Sequence, residues 1–129
     1  MSTDANTIEL LSGLYGFGAI EVDEPAPSAV RVTISEHHED ERVSVLSRWV
    51  AVMHVARMTA GKHNKHDPNV WLNLQGAFDP PPGVLGGDIL PQGQLLIVRA
   101  AWPEGSPSAD VIHNGVGTLS ARQLVSQLA

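Results

Sequence analysis

The chain has 129 residues, of which 43% are hydrophobic and 17% charged, so we expect one globular domain over residues 1–129. It has no cysteine, which excludes disulfide bridges, thiolate nucleophiles and cysteine-based metal centres. The N-terminus lacks the basic and apolar pattern of a signal peptide, and no stretch has the roughly 20 apolar residues of a membrane span. We therefore expect a soluble protein, cytoplasmic or assembled into a particle.

The net charge of −6 is unevenly distributed along the chain. Residues 1–41 hold nine acidic residues and one arginine, whereas residues 42–66 hold five basic residues and no acid. Because complementary charged patches attract, these two segments could pair within the fold or between copies of the chain.

The first predicted elements are a short helix and two strands. Residues 7–14 place Ile8, Leu11 and Leu14 at helical spacing, and glycines follow. Residues 19–24 and 29–35 alternate apolar and polar side chains around a proline-containing turn, which is typical of two paired strands. Val30 and Val32 should share one face, opposite Arg31 and Thr33.

Residues 42–60 fit both a helix and extended structure. As a helix they place Val45, Leu46, Trp49 and Val50 on one broad apolar face. As strands they are favoured by five valines. Since this segment is far longer than a typical strand of roughly 5 to 6 residues, we predict one helix over 42–60. The alternative is an extended segment forming a long hairpin that turns at residues 36–41, giving a β-rich architecture.

Downstream, residues 61–68 are predicted to form a loop and residues 69–78 a strand with Trp71 opposite the apolar face. Residues 79–93 contain so many prolines and glycines that neither a helix nor a central strand is expected there, and we predict a loop or an arm that embraces a neighbour.

The last third of the chain predicts two strands and a helix. Residues 94–102 form a nearly continuous apolar run, typical of a central strand buried on both sides. Residues 110–115 suggest a short edge strand, and the pattern from Ser120 to Gln123 is that of a capping box that opens a helix.

This order of elements predicts an α+β fold, with an antiparallel sheet of about four or five strands and N-terminal, central and C-terminal helices packed on it. The order loosely resembles that of roadblock-type dimerisation modules and of small subunits of phage tails and necks. The resemblance concerns the order of elements alone.

The histidines raise the question of a metal centre, because imidazole and carboxylate groups suit zinc, iron or manganese. The candidate ligands are His63, His66 and Asp67, with His37 and His38 as a second pair. A continuous helix over 42–60 would hold the two pairs about 28 Å apart, too far to share one ion. We therefore predict a solvated loop without a metal or other cofactor, in which the dipole of a preceding helix favours Lys62 and Lys65.

The sequence has no catalytic motif such as a nucleophile elbow, a P-loop or a zinc-protease signature, so no catalytic residue is predicted. The acidic net charge argues against nucleic-acid binding. We predict a non-catalytic assembly subunit whose partners are itself or other protein subunits, with no nucleic acid or membrane. A viral tail or neck component is one example. The alternative is a small His/carboxylate-dependent enzyme or metal-binding protein. The predicted contact residues are Pro80, Pro81, Pro82, Val84, Leu85, Ile89, Leu90, Arg48 and Arg57.

Overall fold

The computed structural model describes Gly13 and residues 20–34, 39–82 and 94–128. Within these residues the chain forms five strands and three helices. In chain order they are β1 (Ile20–Ala26), β2 (Ala29–Ile34), α1 (Glu39–Ala51), β3 (Met53–Gly61), β4 (Asn69–Phe78), β5 (Leu95–Pro103), α2 (Pro107–Gly115) and α3 (Ala121–Leu128).

The strands form one mixed sheet in the order β1-β2-β5-β4-β3. All neighbouring strands are antiparallel except β2 and β5, which are parallel. The predicted α+β class is therefore confirmed, and the sheet is mostly antiparallel as expected. The parallel pair arises because β5 returns to the centre of the sheet, between β2 and β4, after the β3–β4 hairpin has been added on the other side.

The three described helices pack on one face of the sheet, which we call the core face. Its side chains come from alternate strand positions, as the sequence pattern predicts, and they join the apolar sides of the helices in one buried cluster. The largest fully buried side chains are Trp49, Leu46, Leu72, Leu74, Leu96, Ile112 and Leu124. Burial of this cluster is the main contribution to the stability of the fold.

The prediction of one helix over residues 42–60 is wrong, and so is the alternative of a fully extended segment. α1 ends at Ala51, the backbone N–H of Val52 donates to the carbonyl of Trp49 at 3.1 Å, and β3 begins at Met53. The helical half buries Leu46 and Trp49 one turn apart, whereas the second half pairs with β4 along its length. Each pattern was therefore correct for half of the segment.

The β3–β4 hairpin contains a β-bulge between Val55 and Arg57. Opposite the bulge lies Gly76, which pairs with Val55. A Cβ atom built on Gly76 would lie 1.7 Å from the carbonyl oxygen of His54, so the close approach of the two strands requires glycine at this position.

The predicted edge strand at residues 110–115 is also wrong, because these residues belong to α2. Ser106 caps that helix by accepting a hydrogen bond from the Ala109 N–H at 3.2 Å, and Pro107 starts it with a preset backbone angle. The cap and the proline precede the segment, so the pattern of residues 110–115 alone did not reveal the helix.

The predicted capping box of the C-terminal helix is confirmed. The Ser120 N–H donates to Gln123 Oε1 at 2.9 Å, and the Gln123 N–H donates to Ser120 Oγ at 3.2 Å. Of the predicted N-terminal helix over residues 7–14, only Gly13 is described, and it is helical. Among the described helices, none is long and apolar enough to cross a membrane.

Candidate functional site

The loop that contains the candidate metal ligands connects β3 to β4 and is organised by one carboxylate. Asp67 accepts hydrogen bonds from the backbone N–H of Asn69 at 2.9 Å, from the Trp71 indole N–H at 2.8 Å and from the His63 N–H at 3.3 Å. The backbone N–H of His66 donates to the Asn64 side chain at 2.9 Å. Asp67 therefore has a structural role, and it fixes the position of the indole ring of Trp71.

These hydrogen bonds also stabilise the ionised form of Asp67. The backbone N–H of Asn69 has the largest effect, and the Trp71 and His63 donors add to it, so the pKa of Asp67 lies below its ordinary value of 3.8. The unfolded chain therefore binds this proton at a higher pH than the native chain does. The contribution of Asp67 to stability is complete above about pH 4 and is lost as the pH falls through the lower native pKa.

We expect Asp67→Ala to release the Trp71 indole, since three donors lose their acceptor. The measurement is the NMR resonance of the Trp71 indole N–H, with Trp49 and Trp102 as internal references. In the variant the resonance should shift from its native position, and its hydrogen exchange should become faster. Acidification of the native protein below about pH 4 should shift the resonance in the same direction as the substitution does.

Asp79→Ala is the matched control, because Asp79 is an exposed carboxylate just beyond the other end of β4. It should leave the Trp71 resonance in place. An unchanged Trp71 resonance in Asp67→Ala would contradict the structural role assigned to this carboxylate.

His63 lies on the ring of Trp71 rather than in a ligand cluster. The two rings are stacked, with centroids 4.3 Å apart and an interplanar angle of 12°. Partial burial, and then the nearby Arg99 guanidinium, lower the pKa of His63 below 6.5, although Asp67 partly opposes this. The stacked imidazole is therefore favoured in its neutral form. The contribution of the neutral, stacked His63 to the stability of the fold is complete above pH 6.5, and it declines as the pH falls through the lower native pKa.

The expected separation of the two histidine pairs by one long helix does not hold. The start of β4 pairs with the end of β5, and β2 runs parallel to β5. The β3–β4 loop and the end of β2 therefore lie at the same end of the sheet. His37 and His38 lie outside the described residues. In the described part of the chain, no three His, Asp or Glu side chains are placed to hold a metal ion.

The helix-dipole explanation for the lysines of this loop is wrong as well. The loop follows a strand, so the dipole of a helix does not act on it. Lys62 instead forms an ion pair with Glu104, which follows β5.

The other side of the sheet, which we call the open face, is not covered by any of the described helices. β5 was predicted to be buried on both sides, but on its open side only Ala101 is buried, while Ile97 and Arg99 are half-buried and Leu95 is 40% exposed. Trp71 lies on the same face, as the alternation of β4 predicts. The open face is therefore a part-apolar surface in contact with solvent.

Charged groups on the open face are held in defined positions. Arg99 Nε donates to Thr33 Oγ1 at 2.8 Å, and its guanidinium lies 5.1 Å from the Trp71 ring centroid. Arg31 forms a two-point ion pair with Asp23 on the neighbouring strand, with Nε donating to Oδ1 at 3.0 Å. Burial, followed by the neighbouring Arg31, lowers the pKa of Arg99. Trp71, Arg99 and Thr33 were not predicted as site residues, although the position of Trp71 on the polar side of its strand was the available signal.

The predicted contact residues that the structure describes lie on different surfaces of the fold. Arg48 is exposed on α1, in the helix layer, whereas Arg57 pairs with Gln75 and lies on the open face. Pro80, Pro81 and Pro82 line a groove of about 520 Å³ with His54 and Arg122. The other predicted contact residues, Val84, Leu85, Ile89 and Leu90, lie outside the described residues.

A second groove of about 740 Å³ lies between α1 and α3 and is lined by Val43, Val50, Val125 and Leu128 among others. Of its described lining residues, Arg122 is basic, three are serines and none is a histidine, aspartate or glutamate. The groove therefore offers apolar contact surface rather than acid–base chemistry.

No protein-family model, no curated protein and no solved structure matches this chain.

Proposed function

We propose that this chain is a non-catalytic subunit that acts through protein contacts, in a homo-oligomer or a larger assembly, and that its open face is the contact surface. The observation that carries the proposal is a sheet whose described helices all pack on one side. The other side presents Trp71, Leu95 and Ile97 between charged groups. An exposed face with an apolar centre and a charged rim is typical of protein interfaces.

The position of Trp71 supports this proposal. Tryptophan and arginine are the residues that most often dominate the binding energy of interfaces. Here the indole is held by Asp67, stacked by His63 and flanked by Arg99 before any partner binds. Because these contacts already order the ring, association would lose less conformational entropy.

The same contacts weigh against the alternative of a small enzyme or metal-binding protein that uses His63, His66 and Asp67. Asp67 is occupied by three donors, and His63 is stacked on Trp71. The charges of the open face also weigh against nucleic acid as the partner. Its arginines share the face with acidic Glu21 and Asp23, so they do not form the basic stripe that phosphate binding requires. We propose no membrane partner either.

A larger particle, such as a viral tail or neck, is a setting in which such a subunit would act. This extension of the proposal rests on the order of elements alone.

The first test is the mass in solution, measured by light scattering after size-exclusion chromatography from about 1 to 100 µM, a range in which weak complexes form. We expect the wild type to exceed the 13.8 kDa of one chain. Ile97→Glu, which places a charge at the centre of the open face, should shift the mass to that of the monomer.

Ser126→Glu is the matched control, because Ser126 is exposed on α3 in the helix layer. It should leave the mass of the wild type unchanged. A wild-type chain that stays monomeric over the whole concentration range would contradict the homo-oligomer, and unchanged association of Ile97→Glu would exclude the open face as the contact.

A further inference from the structure

We infer that the partner on the open face is a second copy of this chain, related by a two-fold axis that runs parallel to the strands. This inference rests on the proposed function and specifies its partner. The decisive feature is the order of side chains across the sheet, which follows from the pairing of the strands.

One row of side chains crosses all five strands on the open face. The strand pairing places Asp23 beside Arg31, Arg31 beside Ile97, Ile97 beside Gln75, and Gln75 beside Arg57. The row therefore begins with Asp23 at one edge, where Arg31 on the next strand is ion-paired with it, passes through Ile97 in the middle strand and ends with the basic Arg57 at the other edge.

A row with this order is complementary to itself. A two-fold axis that runs above the middle strand, parallel to it, places Ile97 opposite Ile97 of the second copy. It also brings Asp23 over Arg57 of the second copy, with Glu21 two residues away on the same strand, and the reverse contact forms at the same time. Opposite charges thus face each other at both rims around an apolar centre, an arrangement that favours this pairing over others.

Arg99 would lie near the axis, where its charge faces that of the second copy. Its guanidinium is drawn back onto its own sheet, because Nε donates to Thr33 and the group lies over Trp71.

The edges of the sheet favour pairing through the face rather than by sheet extension. β1 has an irregular register between Asp23 and Ala26, a stretch that contains Pro25. β3 carries the bulge between Val55 and Arg57. Bulges and prolines on edge strands hinder the addition of a further strand.

The size of the face suits a weak or transient complex. Five strands spaced about 4.8 Å apart, with about six residues each at about 3.3 Å, give roughly 500 Å² per copy. Two such faces bury roughly 1,000 Å² in total, which is below the roughly 1,200 Å² of stable interfaces and in the range of transient ones.

Two charge-reversal variants test this arrangement. Variant A carries Glu21→Lys with Asp23→Asn, so its acidic edge becomes basic without a lysine being placed beside Arg31. Variant B carries Arg57→Glu, so its basic edge becomes acidic. In each variant alone, like charges meet at both rims, and we expect the dimer dissociation constant to rise at least about tenfold.

An equimolar mixture of A and B is the decisive sample. In the mixed dimer each altered edge faces an opposite charge, so its dissociation constant should return to within about threefold of the wild-type value. Circular dichroism and thermal unfolding of each variant check that the fold is retained. Arg48→Glu, on the helix layer, should leave the dissociation constant unchanged.

A second measurement uses the absence of cysteine in the natural chain. A short thiol-specific cross-linker should join Ile97→Cys into a covalent dimer, whereas Ser126→Cys should remain a single chain. A dimeric wild type whose variants A and B associate normally, or whose A and B mixture gains nothing, would overturn the face pairing and leave the proposed assembly role intact. A monomeric wild type would overturn the face pairing and the homo-oligomer, and would leave only an assembly with other protein subunits.

Discussion

Gly76→Ala is expected to lower the free energy of unfolding by about 3 kcal/mol, the scale of severe steric changes inside a packed structure. The added methyl group would lie 1.7 Å from the carbonyl oxygen and 2.8 Å from the carbonyl carbon of His54, both of which belong to the backbone of the neighbouring strand. A backbone cannot move aside as a flexible side chain can, so the bulged part of the β3–β4 hairpin must separate.

The measurement is denaturant unfolding followed by circular dichroism, supported by a melting temperature that should fall by roughly 10 °C. Gly61→Ala is the matched control, because a Cβ there meets nothing within 4 Å. Its effect should stay within about 0.5 kcal/mol. Equal stability of the two variants would contradict the close approach of Gly76 to the His54 carbonyl.

Arg42→Met is expected to destabilise the fold by about 2–4 kcal/mol, because it leaves a buried carbonyl without its donor. Arg42 is only 4% exposed, its Nη1 donates to the carbonyl oxygen of Ala101, and its guanidinium lies 5.4 Å from the ring centroid of Trp102. Among the described residues, the last β2–β5 pair is Thr33 with Arg99, so Ala101 lies beyond the described part of β2. There Arg42 supplies a side-chain donor to a main-chain carbonyl of β5.

Replacing a buried charge by an apolar side chain can be neutral when its partner is replaced as well. In this protein the partner is a main-chain carbonyl, which the substitution cannot remove. The lost hydrogen bond should therefore outweigh any gain from replacing the buried charge with an apolar side chain. Arg48→Met, an exposed arginine on the same helix, is the control and should change the stability by less than about 0.5 kcal/mol. Equal denaturation midpoints for the two variants would contradict the structural role of Arg42.

The burial of Arg42 also shows that the basic segment, residues 42–66, is not one surface of the fold. The sequence grouped Arg42 with Arg48 and Arg57 as neighbours in one positive stretch. The structure separates them into the core, the helix layer and the open face, respectively. Closeness along the chain therefore did not bring these arginines to one surface, whereas the charge order across the strands is the basis of the proposed contact face.

Local patterns in the sequence determined much of this fold. The alternation of β2 and β4 predicted both the strands and their buried sides, because successive side chains of a strand point to opposite faces whatever the strand pairs with. The capping box at Ser120 predicted the last helix, and the apolar run of β5 predicted a central strand although not its half-buried open side, since each depends on residues close together in the chain.

Only the tertiary structure decided the elements whose state depends on distant partners. β4 pairs with residues from Met53 onward and makes them a strand, although the residues before them form a helix with a similar composition. The row from Asp23 to Arg57 likewise exists only because five separate segments meet in one register. Helical and strand periods are local properties of the chain, but pairing order and register depend on contacts between residues far apart, which local patterns do not encode.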